Sequence, residues 1–376
     1  MKYRHSLVLA LLLAAVFLPL PANSKGENAV VSSKSSYAST STHAATKPDP
    51  TSAKSHSAPK SDPTSAKSHS APKSDLTSTK SHSAPRAGTR FNQYIWNEIS
   101  SMHYHRVLAE VSIPKNPNGT VVIICPGGSY HHLDILNEGK PTQKWFNAQG
   151  ATAIILRYRT ANRNYHYPAQ MQDVQRMIQL VRENPEMYGV EGSSADKLQG
   201  NFSERQSIST ARQTQLKIGL IGFSAGGHLV TWAGAFGNRA NELGKIGIKT
   251  DASLRPDFVI PVYPVVTMDD DIGHKWSRKS LIGKHPTEQM QNLFSMEKQI
   301  PPDMPPTYLV ACHDDPVVIF ENSMRLASSL ETAGTDFSFT DYPWGGHGFG
   351  MKDCAFMRTF RWNEPLLEWL KERDFL

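Results

Sequence analysis

The most constraining feature of the sequence is a tight turn between an apolar run and a helical pattern. Residues 216–223 form a largely apolar run, which leads through Gly222-Phe223-Ser224-Ala225-Gly226 into a helical pattern that reaches Trp232. Small residues beside the serine let the backbone segments of such a turn approach each other, and the bend raises the hydroxyl above the sheet. Ser224 is therefore the predicted nucleophile, and the backbone N–H of Ala225 is directed at developing negative charge.

Around this turn, short apolar runs alternate with helical patterns. This alternation is typical of a mostly parallel, doubly wound sheet with helices on both faces, and it predicts an α/β fold. Pro168 opens one predicted helix at its first turn. The predicted strands are residues 107–113, 120–125, 152–158, 216–223, 258–263, 307–311 and 336–342, and the last predicted helix is 362–373.

Two stretches interrupt this alternation. Residues 188–215 are polar and rich in Gly, Ser and Asn, at a place where a short connection is usual, and we interpret them as a surface insertion. Residues 267–304 are irregular and lie between two core strands, where a small cap insertion would be expected.

The beginning of the chain is typical of a secretory signal peptide. Lys2 and Arg4 precede an apolar run over residues 7–20, and small residues follow at 22–24. We therefore expect residues 1–24 to be a signal peptide that is cleaved near 22–24, and the protein to be exported to the periplasm or secreted. An uncleaved membrane anchor is the alternative, although the run is short for a bilayer span.

Residues 25–90 are predicted to be a disordered basic linker, because they carry almost no large apolar residues. A 13-residue repeat rich in Ser, Ala, Lys, Pro and His begins at Asp49, Asp62 and Asp75. Of the total charge of +6, residues 25–86 contribute a net five positive charges and the signal region two, so the remainder is close to neutral. The basic balance therefore indicates no nucleic-acid partner and at most a loose contact of the tail with a cell surface or polysaccharide.

Residues 91–376 form the predicted catalytic domain, and they supply partners for Ser224. His347 lies among glycines after the last predicted strand, where a loop can place its imidazole over the serine. The acid is expected after the preceding strand, where Asp314 and Asp315 compete. Asp315 is preferred because it directly precedes Pro316, where the loop turns toward the next helix, and it would hold the imidazole in the correct tautomer.

The loop Pro126-Gly127-Gly128-Ser129-Tyr130 follows an early predicted strand and is the expected oxyanion loop. Gly128 and Ser129 are the predicted donors, together with Ala225. Tyr130, His131 and His132 follow and are candidates for lining the substrate pocket. Trp344 is a further candidate, and the equally weighted alternative is that its ring only packs within its own loop. No metal site is predicted, because no third ligand is suitably spaced from His131 and His132.

These motifs together resemble a known family. Cys125-Pro-Gly-Gly-Ser-Tyr130, Asn137-Glu-Gly139, Leu156-Arg-Tyr-Arg159, Gly222-Phe-Ser-Ala-Gly-Gly-His228 and Gly345-Gly-His-Gly-Phe349 occur in the order seen in the acetylxylan-esterase-like and feruloyl-esterase-like (BD-FAE-type) branch of the α/β-hydrolases. The resemblance covers about residues 95–376. The chain departs from the family at Cys125, where a histidine is usual, and at Ser129, where a third glycine is usual.

The resemblance implies an α/β-hydrolase fold and a serine carboxylesterase that needs no cofactor. Its expected substrate is a short acyl ester, acetyl above all, on carbohydrate such as acetylated xylan or xylo-oligosaccharides. Two alternatives remain open: a serine peptidase of the prolyl-oligopeptidase type, and a catalytically silent surface-binding homologue. The sequence leaves the oligomeric state open, and it predicts that Cys125 and Cys312 are small buried hydrophobic residues.

Overall fold

The computed structural model describes residues 84–102, 105–190, 215–237 and 239–376. The predicted signal peptide (1–24), residues 25–83 of the predicted linker and residues 191–214 of the predicted insertion lie outside the described residues. In the described part of the chain, no helix is both long enough and apolar enough to cross a membrane.

The described strands form one eight-stranded sheet in the order β1-β2-β4-β3-β5-β6-β7-β8. Only the pairs β1/β2 and β2/β4 are antiparallel, so the predicted mostly parallel sheet is confirmed. The strands are β1 Arg90–Tyr94, β2 Leu108–Ser112, β3 Thr120–Cys125, β4 Thr152–Arg157, β5 Lys217–Phe223, β6 Phe258–Val262, β7 Thr307–Cys312 and β8 Phe337–Tyr342.

Helices follow most of these strands and cover both faces of the sheet. They are α1 Lys140–Ala148, α2 Ala169–Glu183, α3 Ala225–Phe236, α4 Lys275–Ile282, α5 Glu288–Phe294, α6 Glu321–Thr332, α7 Ala355–Phe360 and α8 Asn363–Glu372. Short turns of helix lie between them at Ile135–Gly139, which is a π-helix, and at Ala161–Arg163, Pro185–Tyr188, Gly244–Ile246 and Met296–Lys298.

The central strands are apolar throughout because both faces are buried. In β3, Val121, Ile123 and Cys125 face one core, while Val122 and Ile124 face the other. The first core contains apolar side chains of α2, α3 and α6, and the second contains those of α1 and α8. Cys125 and Cys312 are buried and, like Cys354, form no disulfide.

The irregular segment predicted as a cap contains α4 and α5, and it is tied to the loop before α2. The Tyr167 N–H donates to Leu281 O at 2.8 Å, and the His166 Nδ1 lies 2.7 Å from Ser280 O. The cap therefore lies on the edge of the sheet where β4 ends, which is the edge that also carries the turn after β5.

Candidate active site

Ser224 occupies a strained turn between β5 and α3. Its backbone has φ 53° and ψ −118°, a conformation that side-chain-bearing residues rarely adopt. The flanking glycines are required by space, because a Cβ at Gly222 would lie 2.1 Å from Gly226 O and one at Gly226 would lie 2.0 Å from Cys125 O. The packing of β3 against this turn therefore holds the strained serine in place.

The structure brings Ser224, His347 and Asp315 into one hydrogen-bonded chain. His347 Nε2 lies 2.9 Å from Ser224 Oγ, and His347 Nδ1 lies 2.7 Å from Asp315 Oδ2. The second carboxylate oxygen of Asp315 accepts hydrogen bonds from the N–H groups of Val317 and Val318, at 2.8 and 2.9 Å. These bonds fix the carboxylate, which is almost fully buried, with one oxygen directed at the imidazole.

Asp314, the competing acid, has a different partner. Its Oδ1 accepts a hydrogen bond from the Gly346 N–H at 2.7 Å, so it contacts the backbone of the histidine loop and not the imidazole. Of the two aspartates, Asp315 is therefore the one placed to orient His347.

The expected oxyanion loop contacts the turn that carries Ser224. A Cβ at Gly127 would lie 2.9 Å from Ser224 Cβ, so the loop passes directly against the serine. The N–H of Gly127 donates to Glu138, whereas those of Gly128 and Ser129, like that of Ala225, donate to no protein acceptor in the described residues. Three backbone N–H groups, two in this loop and one in the turn after β5, thus have no protein acceptor in the described part of the chain.

Only glycine fits at position 128, whereas position 129 tolerates the serine. Gly128 has φ 123°, and a Cβ there would lie 2.3 Å from His132 O. Ser129 has φ 58°, in the left-handed region, and its side chain is buried. The serine that replaces the family's third glycine therefore keeps its backbone N–H available at some conformational cost.

Glu138 is a site residue whose role the sequence did not reveal, although the motif Asn137-Glu138-Gly139 drew attention to it. Its buried carboxylate accepts hydrogen bonds from the Gly127 N–H at 2.6 Å and from the Tyr263 hydroxyl at 2.9 Å. The Tyr263 oxygen in turn accepts from the Gly350 N–H at 3.1 Å. Burial raises the pKa of Glu138 to about 7. One carboxyl group thus ties the oxyanion loop to the loop that carries His347.

Tyr130 does not line a substrate pocket as the sequence predicted. Its backbone has φ 57°, which turns the side chain into the core, where it is fully buried. The Tyr130 hydroxyl lies 2.8 Å from His228 Nδ1, and His228 Nε2 lies 2.7 Å from Phe294 O. Because a carbonyl only accepts, His228 carries its proton on Nε2, and its Nδ1 accepts a hydrogen bond from the Tyr130 hydroxyl.

His131 and His132 lie beneath the cap at the rim of the oxyanion loop. Their rings lie 5.2 and 5.9 Å from the ring of Trp276 on α4, which is 48% exposed. His274 precedes the same helix, and burial together with the nearby His347 lowers its pKa. Sequence reasoning missed Trp276 and His274 because the position of a cap over a site depends on tertiary packing.

Trp344 is partly exposed, and its ring packs against Phe356 and Phe360 of α7, with centroids 6.1 and 5.1 Å away. This contact corresponds to the packed loop aromatic that the sequence offered as the alternative. A substrate-binding role for Trp344 and for His131 stays a prediction.

The sheet order, the turn at Ser224 and the loops around it define an α/β-hydrolase. The BD-FAE family model matches residues 209–330, so the family resemblance seen in the motifs is confirmed over this part of the chain.

Two curated relatives match about two thirds of this chain. An acetylxylan esterase of Xylanibacter ruminicola is 27% identical over 69% of this chain and 47% of its own length. An endo-1,4-beta-xylanase B of Butyrivibrio fibrisolvens is 27% identical over 66% of this chain and 35% of its own. The chain therefore spans half or less of the length of these curated relatives.

Among solved structures, an acetyl ester-xyloside bifunctional hydrolase from Caldicellulosiruptor lactoaceticus superimposes with a TM-score of 0.60 and 26% identity. The match covers 79% of this chain and all of that one. An esterase from Thermogutta terrifontis matches with a TM-score of 0.57 at 18% identity and so shows the shared fold.

Proposed function

We propose that this chain is an exported serine carboxylesterase that removes short acyl groups, acetyl above all, from carbohydrate such as acetylated xylan or xylo-oligosaccharides. The observation that carries the proposal is the hydrogen-bonded chain from Asp315 through His347 to Ser224, at 2.7 and 2.9 Å. A serine hydroxyl is a weak nucleophile until a positioned base removes its proton, and this arrangement supplies the base and a group that orients it.

The reaction begins when His347 Nε2 takes the hydroxyl proton as Ser224 Oγ attacks the ester carbonyl. The carbonyl oxygen becomes an oxyanion and accepts hydrogen bonds from the free N–H groups of Gly128, Ser129 and Ala225. The proton on Nε2 then passes to the leaving alcohol oxygen, and the acyl group stays on Ser224. A water molecule that is deprotonated by His347 hydrolyses this acyl-enzyme, and the carboxylic acid leaves.

Two relatives support the choice of a carbohydrate ester. One is named an acetylxylan esterase, and the solved structure with the TM-score of 0.60 is described as an acetyl ester-xyloside hydrolase. The exposed Trp276 beside His131 and His132 offers an aromatic surface next to the oxyanion loop. Aromatic side chains with a few polar groups are the usual lining of sites that bind small molecules.

Export is a separate part of the proposal and rests on sequence. The positive start, the apolar run over residues 7–20 and the small residues at 22–24 support it. The mature N-terminus, determined on protein recovered from outside the cytoplasm, tests it. A chain that begins near residue 25 supports a cleaved signal, whereas an intact Met1 contradicts cleavage.

Acetate release from acetylated xylo-oligosaccharides by the intact chain and by Ser224→Ala tests the activity. Release that is lost in the variant supports the proposal. Cleavage of an aryl acetate without acetate release from the oligosaccharides would support esterase activity and exclude acetylated xylo-oligosaccharides as the substrate. Cleavage only of peptides after proline would favour a peptidase, and inactivity on every substrate would favour a silent binding homologue.

A further inference from the structure

The edge of the sheet that carries Ser224 also has a cavity of about 620 Å³ beside the oxyanion loop. His132 and Leu133 form one wall, and the chain that leaves β4, from Arg157 to Thr160, forms another. Residues 105–108, which lead into β2, complete it. The cavity therefore begins at the loop that carries the oxyanion donors and extends away from Ser224 across the neighbouring strands.

Positive charge dominates this cavity. Among the described residues that line it there are four arginines and no aspartate or glutamate; the arginines are Arg106, Arg157, Arg159 and Arg163. The chain beyond residue 86 is close to neutral in total, so this concentration of arginine does not follow from general basicity.

Two of the arginines are held by carboxylates of the fold. Arg159 forms a buried ion pair with Asp173 at 2.9 Å, and Arg157 pairs with Glu110. Arg106 and Arg163 are exposed, and neither has an acidic partner in the described residues. Two guanidinium groups are thus available to an anion that enters the cavity.

The remaining lining fits a sugar. Tyr94, at the end of the edge strand β1, is 41% exposed and presents an aromatic ring. Thr160 and Asn162 add hydroxyl and amide groups. Aromatic surface with a few oriented polar groups is typical of small-molecule sites, and arginine binds carboxylates with two parallel hydrogen bonds.

The distance to the nucleophile agrees with one extended ligand. Ser224 follows β5, and β3 and β4 are the next strands in the sheet. With neighbouring strands about 4.8 Å apart, the wall formed by the end of β4 lies about 10 Å from the nucleophile. A substituent a few sugar units from the scissile ester can reach it.

We propose that this cavity binds the carboxylate of an acidic sugar in the acetylated oligosaccharide, and that Arg106 and Arg163 supply the positive charge. The inference rests on the proposed function and adds to it the substrate class: acetylated oligosaccharides that carry a uronic acid are preferred over neutral ones of the same backbone. The carboxylate exchanges its hydrogen bonds to water for hydrogen bonds to the two guanidinium groups. These bonds strengthen the binding of the sugar that forms the alcohol part of the ester.

The test compares kcat/KM for acetate release from acidic and neutral acetylated xylo-oligosaccharides of equal length. We expect the intact protein to prefer the acidic substrate about tenfold, as two partly exposed ion pairs would give, and raised salt to reduce the preference. The double variant Arg106→Gln/Arg163→Gln is expected to lose this preference. Lys144→Gln/Lys249→Gln removes two exposed charges that do not line the cavity, and it is expected to keep the preference.

Every variant carries the same basic tail, so a contribution of the tail cancels in the comparison, and thermal unfolding checks that each variant is folded. Equal rates on acidic and neutral substrates, or a preference that survives in the arginine variant, would overturn the inference. Either result would still support the proposed esterase activity. An equal loss in the lysine variant would overturn the inference as well.

Calorimetric binding of the deacetylated acidic oligosaccharide separates this inference from the proposed activity. Binding that is lost in the arginine variant supports a carboxylate-binding role for the cavity, even if no acetate release is observed. No detectable binding to the intact protein overturns it.

Discussion

The buried carboxylate of Glu138 accepts a hydrogen bond from the Tyr263 hydroxyl at 2.9 Å. Through this contact, the loop with the proposed oxyanion donors and the loop with His347 share one support, because Glu138 also accepts from Gly127 and Tyr263 also accepts from Gly350. A carboxyl group in so apolar a place resists ionisation, which makes its protonation state a measurable property of the site.

The first prediction follows from the pKa of Glu138, which burial raises from its ordinary 4.5 to about 7. Between these values the folded protein holds a proton that the unfolded chain has lost, so this group's contribution to stability falls as pH rises. Glu138→Gln does not titrate. The free energy of unfolding of the variant minus that of the wild type should therefore increase by up to about 3 kcal/mol between pH 5 and pH 8.

Urea unfolding of both proteins at the two pH values measures this shift. The wild type and the variant share all other titrating groups, so the effects of those groups cancel in the difference between the two proteins. A difference between the two proteins that stays constant with pH would contradict a titrating Glu138.

The second prediction separates the two neighbouring aspartates. Asp315→Asn removes the acceptor that fixes the proton on His347 Nδ1, and kcat should fall by about 10³- to 10⁴-fold. Asp314→Asn keeps an oxygen that can accept from the Gly346 N–H, so kcat should fall by less than about tenfold. Steady-state hydrolysis of an aryl acetate measures both, and equal losses would show that Asp315 has no special role.

The third prediction concerns Tyr130. Tyr130→Phe leaves the buried Nδ1 of His228 without a donor, and the free energy of unfolding should fall by about 1–3 kcal/mol. Burial lowers the pKa of His228 to about 4, so this nitrogen stays an acceptor and the loss should be the same at pH 6 and pH 8.

Denaturant unfolding measures this loss. Tyr94→Phe is the control, because the Tyr94 hydroxyl has no partner in the described residues and its removal should change stability by no more than about 0.5 kcal/mol. Equal effects of the two substitutions would show that the Tyr130–His228 contact contributes nothing.

Much of the fold followed from the sequence because central parallel strands are buried on both faces. After its first residue, each of β3, β5 and β7 has no charged residue and is almost entirely apolar, so the positions of these strands were visible. The chain order then indicated where a serine, an acid and a histidine should stand. Strand β1 was missed because it lies at an edge and alternates partly buried with exposed residues, with Phe91 its only apolar residue packed against the core.

The site was predicted less completely where direction and burial matter. The direction of the Tyr130 side chain depends on a positive φ that the sequence does not display. The role of Glu138 depends on an apolar enclosure built by distant segments, including Tyr263. The cap brings Trp276 over the oxyanion loop through tertiary contacts alone.

The central claim is that Ser224 is the nucleophile, and a serine-directed phosphonate tests it most directly. Intact mass spectrometry followed by peptide mapping should find one adduct, on Ser224, and none in Ser224→Ala. Labelling of His347→Ala should be slower by orders of magnitude, because the hydroxyl then lacks its base. An intact protein that forms no adduct, or an adduct that persists in Ser224→Ala, would contradict the account.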